Sequence, residues 1–115
     1  MGNLSSKRNQ NVERREEIPL PSPEEGTMIC GVVKQLGGGY LLVKCLDGAD
    51  RKARIPGKMR RKIWITEGDI VLVGLWDHTS DKADVIHRYE RSEIAELVEK
   101  GVVPKEFIDA ISELI

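Results

Sequence analysis

Between residues 28 and 89 the chain reads as five short β-rich runs, 28–36, 40–45, 51–55, 69–76 and 83–89, set apart by glycine-bearing turns. Nothing constrains the fold more. Gly37-Gly38-Gly39 and Leu46-Asp47-Gly48 supply the tight reversals that successive antiparallel strands require. Alternation assigns faces: Leu41, Val43 and Cys45 oppose Tyr40, Leu42 and Lys44, and Ala53 and Ile55 oppose Lys52 and Arg54. The outward cations Lys44, Lys52 and Arg54 therefore share one surface. The first run is apolar on both faces and holds Gly31, the pattern of a long strand that bends to serve two halves of a barrel.

The link between the third and fourth runs is too long for a hairpin turn. It opens with Pro56-Gly57 and carries Met59, Ile63 and Trp64, which predicts a short helical segment plugging one end of the barrel. Beyond residue 89 the period becomes helical: Ser92 is the expected cap of a helix running to Lys100, striped by Ile94, Leu97 and Val98 and ended by Gly101. A second helix is predicted from Pro104, presenting Phe107, Ile108, Ile111, Leu114 and Ile115. The expected fold is thus mainly β: a five-stranded Greek-key barrel of the OB type with a C-terminal helical extension. The expected division is a flexible polar arm over 1–25, the barrel over 26–90, and helices packed on it over 91–115.

Net charge is only −1, so a global positive field cannot be what draws a polyanion. Charge is instead segregated. Residues 51–62 hold Arg51, Lys52, Arg54, Lys58, Arg60, Arg61 and Lys62 with no acid, while 90–115 is acidic. Guanidinium forks match phosphate oxygens and lysine adds point charge, so this stretch reads as an RNA-contacting surface. Trp64 beside it suits either stacking on an unpaired base or packing between Ile63 and Ile65.

His78 and His87 lack the companions of a metal or general-base site, and no nucleophile elbow or phosphate-binding glycine loop is present, so neither catalysis, metal nor cofactor is expected. No apolar run is long enough for a membrane-spanning helix, and the first residues lack the apolar stretch of a signal peptide. A soluble, cytoplasmic monomer is expected. Cys30 and Cys45 fall near each other across a hairpin turning at Gly37–Gly39, which is compatible with a bridge, but an intracellular setting favours two buried thiols.

The stretch IPGKMRRKIWITEGDIVLVGLWD, followed by DKADVIHRYE, resembles the translation initiation factor 1A family of archaea and eukaryotes, with GKMR also similar to the bacterial counterpart. The lack of a long acidic tail points to the archaeal form. The resemblance implies an OB-fold factor bound at the aminoacyl site of the small ribosomal subunit. There it would contact 16S rRNA, block premature tRNA entry and help place initiator tRNA and messenger RNA. It also implies that Lys58, Arg60, Arg61 and Lys62 form the basic RNA-contacting loop, flanked by Arg54 and Trp64. The subunit-joining initiation GTPase is a further implied partner, which the eukaryotic factor engages through the tail absent here. A general single-stranded RNA chaperone of cold-shock type would spread aromatics over its strands, whereas aromatics are 4% of this chain. A protein-interaction adaptor would use the C-terminal helices and leave the basic segment idle.

Overall fold

The computed structural model describes residues 18–77 and 81–115. Most of the arm read over 1–25 and the histidine at position 78 lie outside these residues. The five strands form as β1 (Thr27–Gly37), β2 (Tyr40–Cys45), β3 (Asp50–Arg54), β4 (Ile70–Leu75) and β5 (Lys82–Arg88), and close in the order β1-β2-β3-β5-β4 with β4 returning to β1. Among these strands every pairing is antiparallel except β3 with β5. The result is an OB-fold barrel. β1 manages the double duty expected of it: its first residues, Thr27–Gly31, pair with β4, while Cys30–Gly37 pair with β2 across two register shifts.

Inside the barrel lie Cys30, Val32, Leu41, Val43, Cys45, Ala53, Val71, Val73, Ala83 and Val85. Cys30 and Cys45, directly paired across β1 and β2, are joined by a disulfide bond. This corrects the expectation of two thiols: the hairpin register holds the two side chains opposite one another in the same core.

A second apolar cluster covers the outside of β1 and β4, and it gives the other reason for their double-sided apolar pattern. Ile29, Ile70 and Leu72 pack beneath Leu97 of α2 (Arg91–Glu99), Val103, and Ile111 of α3 (Lys105–Leu114), with Tyr89 among them. Gly31 matters here in a way its strand position alone does not announce. A Cβ built on it would stand 2.4 Å from Ile111 Cγ1, so the missing side chain is the notch into which Ile111 seats. The α2 cap is Glu90 rather than Ser92: the Glu90 and Glu93 side chains form a reciprocal capping box, with Glu93 Oε1 accepting from the Glu90 amide at 2.9 Å. Gly101 ends the helix as expected, with φ of 80°. Glu93 Oε1 also meets His87 Nε2 at 3.2 Å.

The part of the arm that is described is packed against the barrel. Ile18 joins the outer cluster, the Tyr89 hydroxyl donates to the Pro19 carbonyl, and Thr27 Oγ1 accepts from the Ser22 amide at 2.6 Å. The packed structure therefore starts well before residue 25.

Candidate nucleic-acid interface

β3 delivers the chain through Ile55 and Pro56 into a single helical turn, α1 (Gly57–Arg60). Pro56 has no amide to donate and its carbonyl accepts from Met59 and Arg60 at 2.9 and 3.0 Å, after which the Met59 carbonyl accepts from Lys62 and Ile63. This winding fixes what the segment can show. Met59 and Ile63, four apart, share a side of the turn and pack against the barrel core, and Ile65 is buried after them. The intervening Lys58, Arg60, Arg61 and Lys62 are left facing solvent. Among the described residues none of the four makes an ion pair. Trp64 resolves toward the open alternative, with 78% of its surface exposed.

The hairpin tip between β1 and β2 faces this plug. A Cβ on Gly39 would fall 2.6 Å from Arg60 Nη1, the mobile end of an exposed side chain, so it is the φ of 84° at Gly39 that makes the turn of the tip favour glycine. Between tip and plug opens a cleft of about 210 Å³ whose walls include Tyr40, Ile55, Arg60, Ile63 and Trp64. On its far side, Trp64 is tied to the end of β5 by Arg88 Nη1, which donates to the Trp64 carbonyl at 3.4 Å.

The strand cations lie on the outer face, as alternation predicts, but in different company. Lys44 pairs with Asp50 at 3.1 Å, Arg54 holds Asp84 through Nε and Nη2, and Lys52 sits over the Tyr40 ring, 4.8 Å from its centroid. Arg51 does not belong to the basic surface at all. Its side chain turns inward, and its guanidinium grips Asp47 in a bidentate pair at 3.0 and 2.9 Å. That hydrogen-bonded pairing holds the Asp47 carboxyl below its ordinary value of 3.8, against the opposing effect of its partial burial. The acid-free run in sequence is thus partly neutralised in space, by acids from the β2–β3 turn and from β5. Within this run, the cations that no acid of the described residues pairs are the four of the plug and Lys52, which lies over the Tyr40 ring.

One aromatic residue escaped the sequence reading. Trp76, just past the end of β4, is half exposed on the same outer face as Lys52 and Arg54. The alternation of Val73 and Leu75 inward against Gly74 and Trp76 outward was the available signal. Among the described residues no cluster of three or more histidines, cysteines and carboxylates is arranged to hold a metal. Nor is any described helix long and apolar enough to cross a membrane.

A family model described as Translation initiation factor 1A / IF-1 matches residues 15–112, nearly all of the chain. The chain belongs to the translation initiation factor 1A / IF-1 family. Among its relatives, "Translation initiation factor 1A" of Desulfurococcus amylolyticus is 69% identical over 106 residues, covering 92% of this chain and 91% of that protein. The protein of the same name from Saccharolobus islandicus strain L.S.2.15 is 47% identical over 102 residues, covering 86% and 94%. A solution structure of the translation initiation factor IF-1 from the Wolbachia endosymbiont strain TRS of Brugia malayi aligns at a TM-score of 0.45 with 28% identity, over 59% of this chain and 82% of that one. The translation initiation factor 1A / IF-1 family is a family of initiation factors, not a class of enzyme.

Proposed function

We propose that this family member binds the small ribosomal subunit at its aminoacyl site through 16S rRNA, and from there promotes placement of initiator tRNA and messenger RNA. The observation that carries the reading is the plug: Lys58, Arg60, Arg61 and Lys62 are held outward by a helical turn whose other side is anchored in the core, with no acid of the described chain paired to them. A rigidly presented set of unpaired cations is suited to phosphates, because it keeps its charge for the ligand and has little backbone left to order on binding. Trp64 and the cleft beside Arg60 offer an apolar, cation-flanked place for an unpaired base. Lys44, Lys52 and Arg54 extend the positive face along the strands, with Lys44 and Arg54 exchanging their carboxylates for phosphate when RNA arrives. The same reading places the protein in the cytoplasm and keeps the subunit-joining GTPase as a partner for the exposed Leu114–Ile115 end.

The test is the salt dependence of binding to purified small subunits. Each phosphate neutralised adds to the steepness with which affinity falls as salt rises, so replacing Arg60 and Arg61 by alanine should flatten the slope by about one unit for each phosphate no longer neutralised. An unchanged slope in the doubly substituted protein would remove the plug from the interface.

A further inference from the structure

The pairing of β1 with β4 ends at Gly31 and Ile70, yet the link that leads from the plug into β4 keeps running beside β1. The Gly68 amide donates to the Val32 carbonyl at 2.9 Å, the Val32 amide donates to the Asp69 carbonyl at 2.8 Å, and the Gln35 amide donates to Glu67 Oε2 at 3.4 Å. Nearer the plug this stitching lapses: among the described residues no backbone amide donates to the carbonyl of Trp64 or of Ile65. Side chains from two strands take over. Gln35 Nε2, from β1, donates to the Ile65 carbonyl at 2.6 Å, and Arg88 Nη1, from β5, donates to the Trp64 carbonyl at the longer distance of 3.4 Å. Register places Gln35 for this: it stands opposite Leu41, so it leaves β1 on the face that Leu41 presents to the barrel interior. The same glutamine lines the cleft beside Trp64.

We infer that Gln35 is a positioning residue for Trp64: by holding the Ile65 carbonyl, its amide keeps the indole turned outward at a fixed angle, ready for a base. The inference rests on the reading of Trp64 as a base contact and adds the residue that prepares it. Ile63 and Ile65 are seated against the core on either side of Trp64, and this decides the side from which the indole emerges. Apolar packing is non-directional, however, so it does not fix the peptide planes between the two isoleucines, whereas a hydrogen bond to a carbonyl is directional. A ring with 78% of its surface exposed has little packing of its own, so its angle follows the backbone beneath it. The Arg88 bond, at the edge of hydrogen-bonding distance, is too long to set that angle alone. An indole held still before RNA arrives spares the ordering cost that binding would otherwise carry. Gln35 is itself exposed, so water can replace it at the carbonyl and its loss leaves the fold intact.

The chain has two tryptophans, so in Trp76→Phe protein the indole signal belongs to Trp64 alone. In that background Gln35→Met keeps the length of the side chain and removes the donor. Time-resolved fluorescence anisotropy of the free protein should then show a larger fast component from local motion of Trp64, with the melting temperature unchanged. Binding to purified small subunits should weaken about 2- to 12-fold in Gln35→Met, the range set by the cost of immobilising one side chain on binding. Trp64→Ala should weaken it by about 5- to 150-fold, the range for loss of one base stack. Adding Gln35→Met to Trp64→Ala should cause no further loss, because a residue that acts through the indole has nothing to position once the indole is gone. Unchanged Trp64 motion in Gln35→Met protein overturns the inference. So does full additivity of the two losses, which makes Gln35 a contact in its own right, and so does a Gln35→Met protein that binds like its parent while Trp64→Ala binds weakly. The reading of the site fails differently: Trp64→Ala without effect on subunit binding, together with an unchanged Arg60/Arg61 salt slope, removes the plug from the interface and the positioning role with it, even where Gln35→Met loosens the indole.

Discussion

Gly31→Ala should destabilise this protein, although Gly31 has ordinary strand backbone and alanine is normally the better strand residue. The new methyl would arrive 2.4 Å from Ile111 Cγ1, 2.5 Å from Cδ1 and 2.9 Å from Cγ2, well inside the usual carbon–carbon separation of about 3.5–4.0 Å. Cγ1 and Cγ2 are bonded directly to the Ile111 Cβ and the side chain is 1% exposed, so relief requires either a poor rotamer or movement of α3 off the barrel. Overpacking of this kind costs about 1–3 kcal/mol, and the lower chain entropy of alanine returns about 0.4–1 kcal/mol, leaving a net loss that spans about 0–2.6 kcal/mol and centres near 1.3 kcal/mol. Ile111→Ala alone should cost about 2–5 kcal/mol by emptying a buried site. The decisive measurement is the double variant. In Gly31→Ala/Ile111→Ala the new methyl grows into the vacated space, so the loss should fall short of the summed single losses by at least about 1 kcal/mol, well beyond the roughly 0.3–0.5 kcal/mol within which independent sites add. Urea unfolding followed by far-ultraviolet circular dichroism, with m-values checked for constancy, gives all four stabilities. An additive cycle would show that α3 does not seat in this notch.

Two further outcomes follow from the two cores. Replacing Cys30 and Cys45 by serine or alanine, or reducing the bond, should lower stability by about 3 kcal/mol on the chain-entropy account for a loop of this length, read as a shift in the urea midpoint of oxidised against reduced protein; coincident curves would mean the bond does not constrain the unfolded chain. Burial first, and then the neighbouring Glu93 carboxylate, pushes the Tyr89 hydroxyl from 10.0 up to about 12. The folded protein then keeps this proton at pH values where the unfolded chain has lost it, so stability should decline as pH climbs from about 10 toward 12, and Tyr89→Phe should flatten that decline in melting temperature against pH.

The barrel was legible because its information is local: glycine-bounded runs of period two, with the faces of β2 and β3 assigned residue by residue before any register was known. The plug was legible for the same reason, since Met59 and Ile63 share a helical side and the cations do not. What alternation alone implied about Arg51 was overridden by composition. It shares a face with Ala53 and points inward, yet its charge invites grouping with the exposed residues around it, and its partner Asp47 is supplied by turn geometry. The disulfide turned on an assumption about compartment rather than on spacing, which had already put the two sulfurs together. Trp76 was passed over because its surroundings, Asp84, Arg54 and Lys52, belong to two other strands, and only the β3–β5 closure brings those to one surface. The cap at Glu90 was hidden by Ser92, a better capping residue by type but two residues too late to pair reciprocally with Glu93, since three residues beyond Ser92 stands Ala95.

The bond between Cys30 and Cys45 has a topological result as well as an energetic one. It makes a covalent ring of everything from residue 30 to residue 45, including the Gly37–Gly39 tip that meets Arg60. A protease that cuts the tip therefore opens the ring without releasing a fragment: the barrel and its helices stay tethered to the residues before Cys30 as a single two-chain molecule. The tip can be severed, or its ends spliced to a different loop, while the strands on either side remain fastened from within, so the segment that faces the plug is a stretch of this barrel whose continuity is not needed to keep the molecule in one piece.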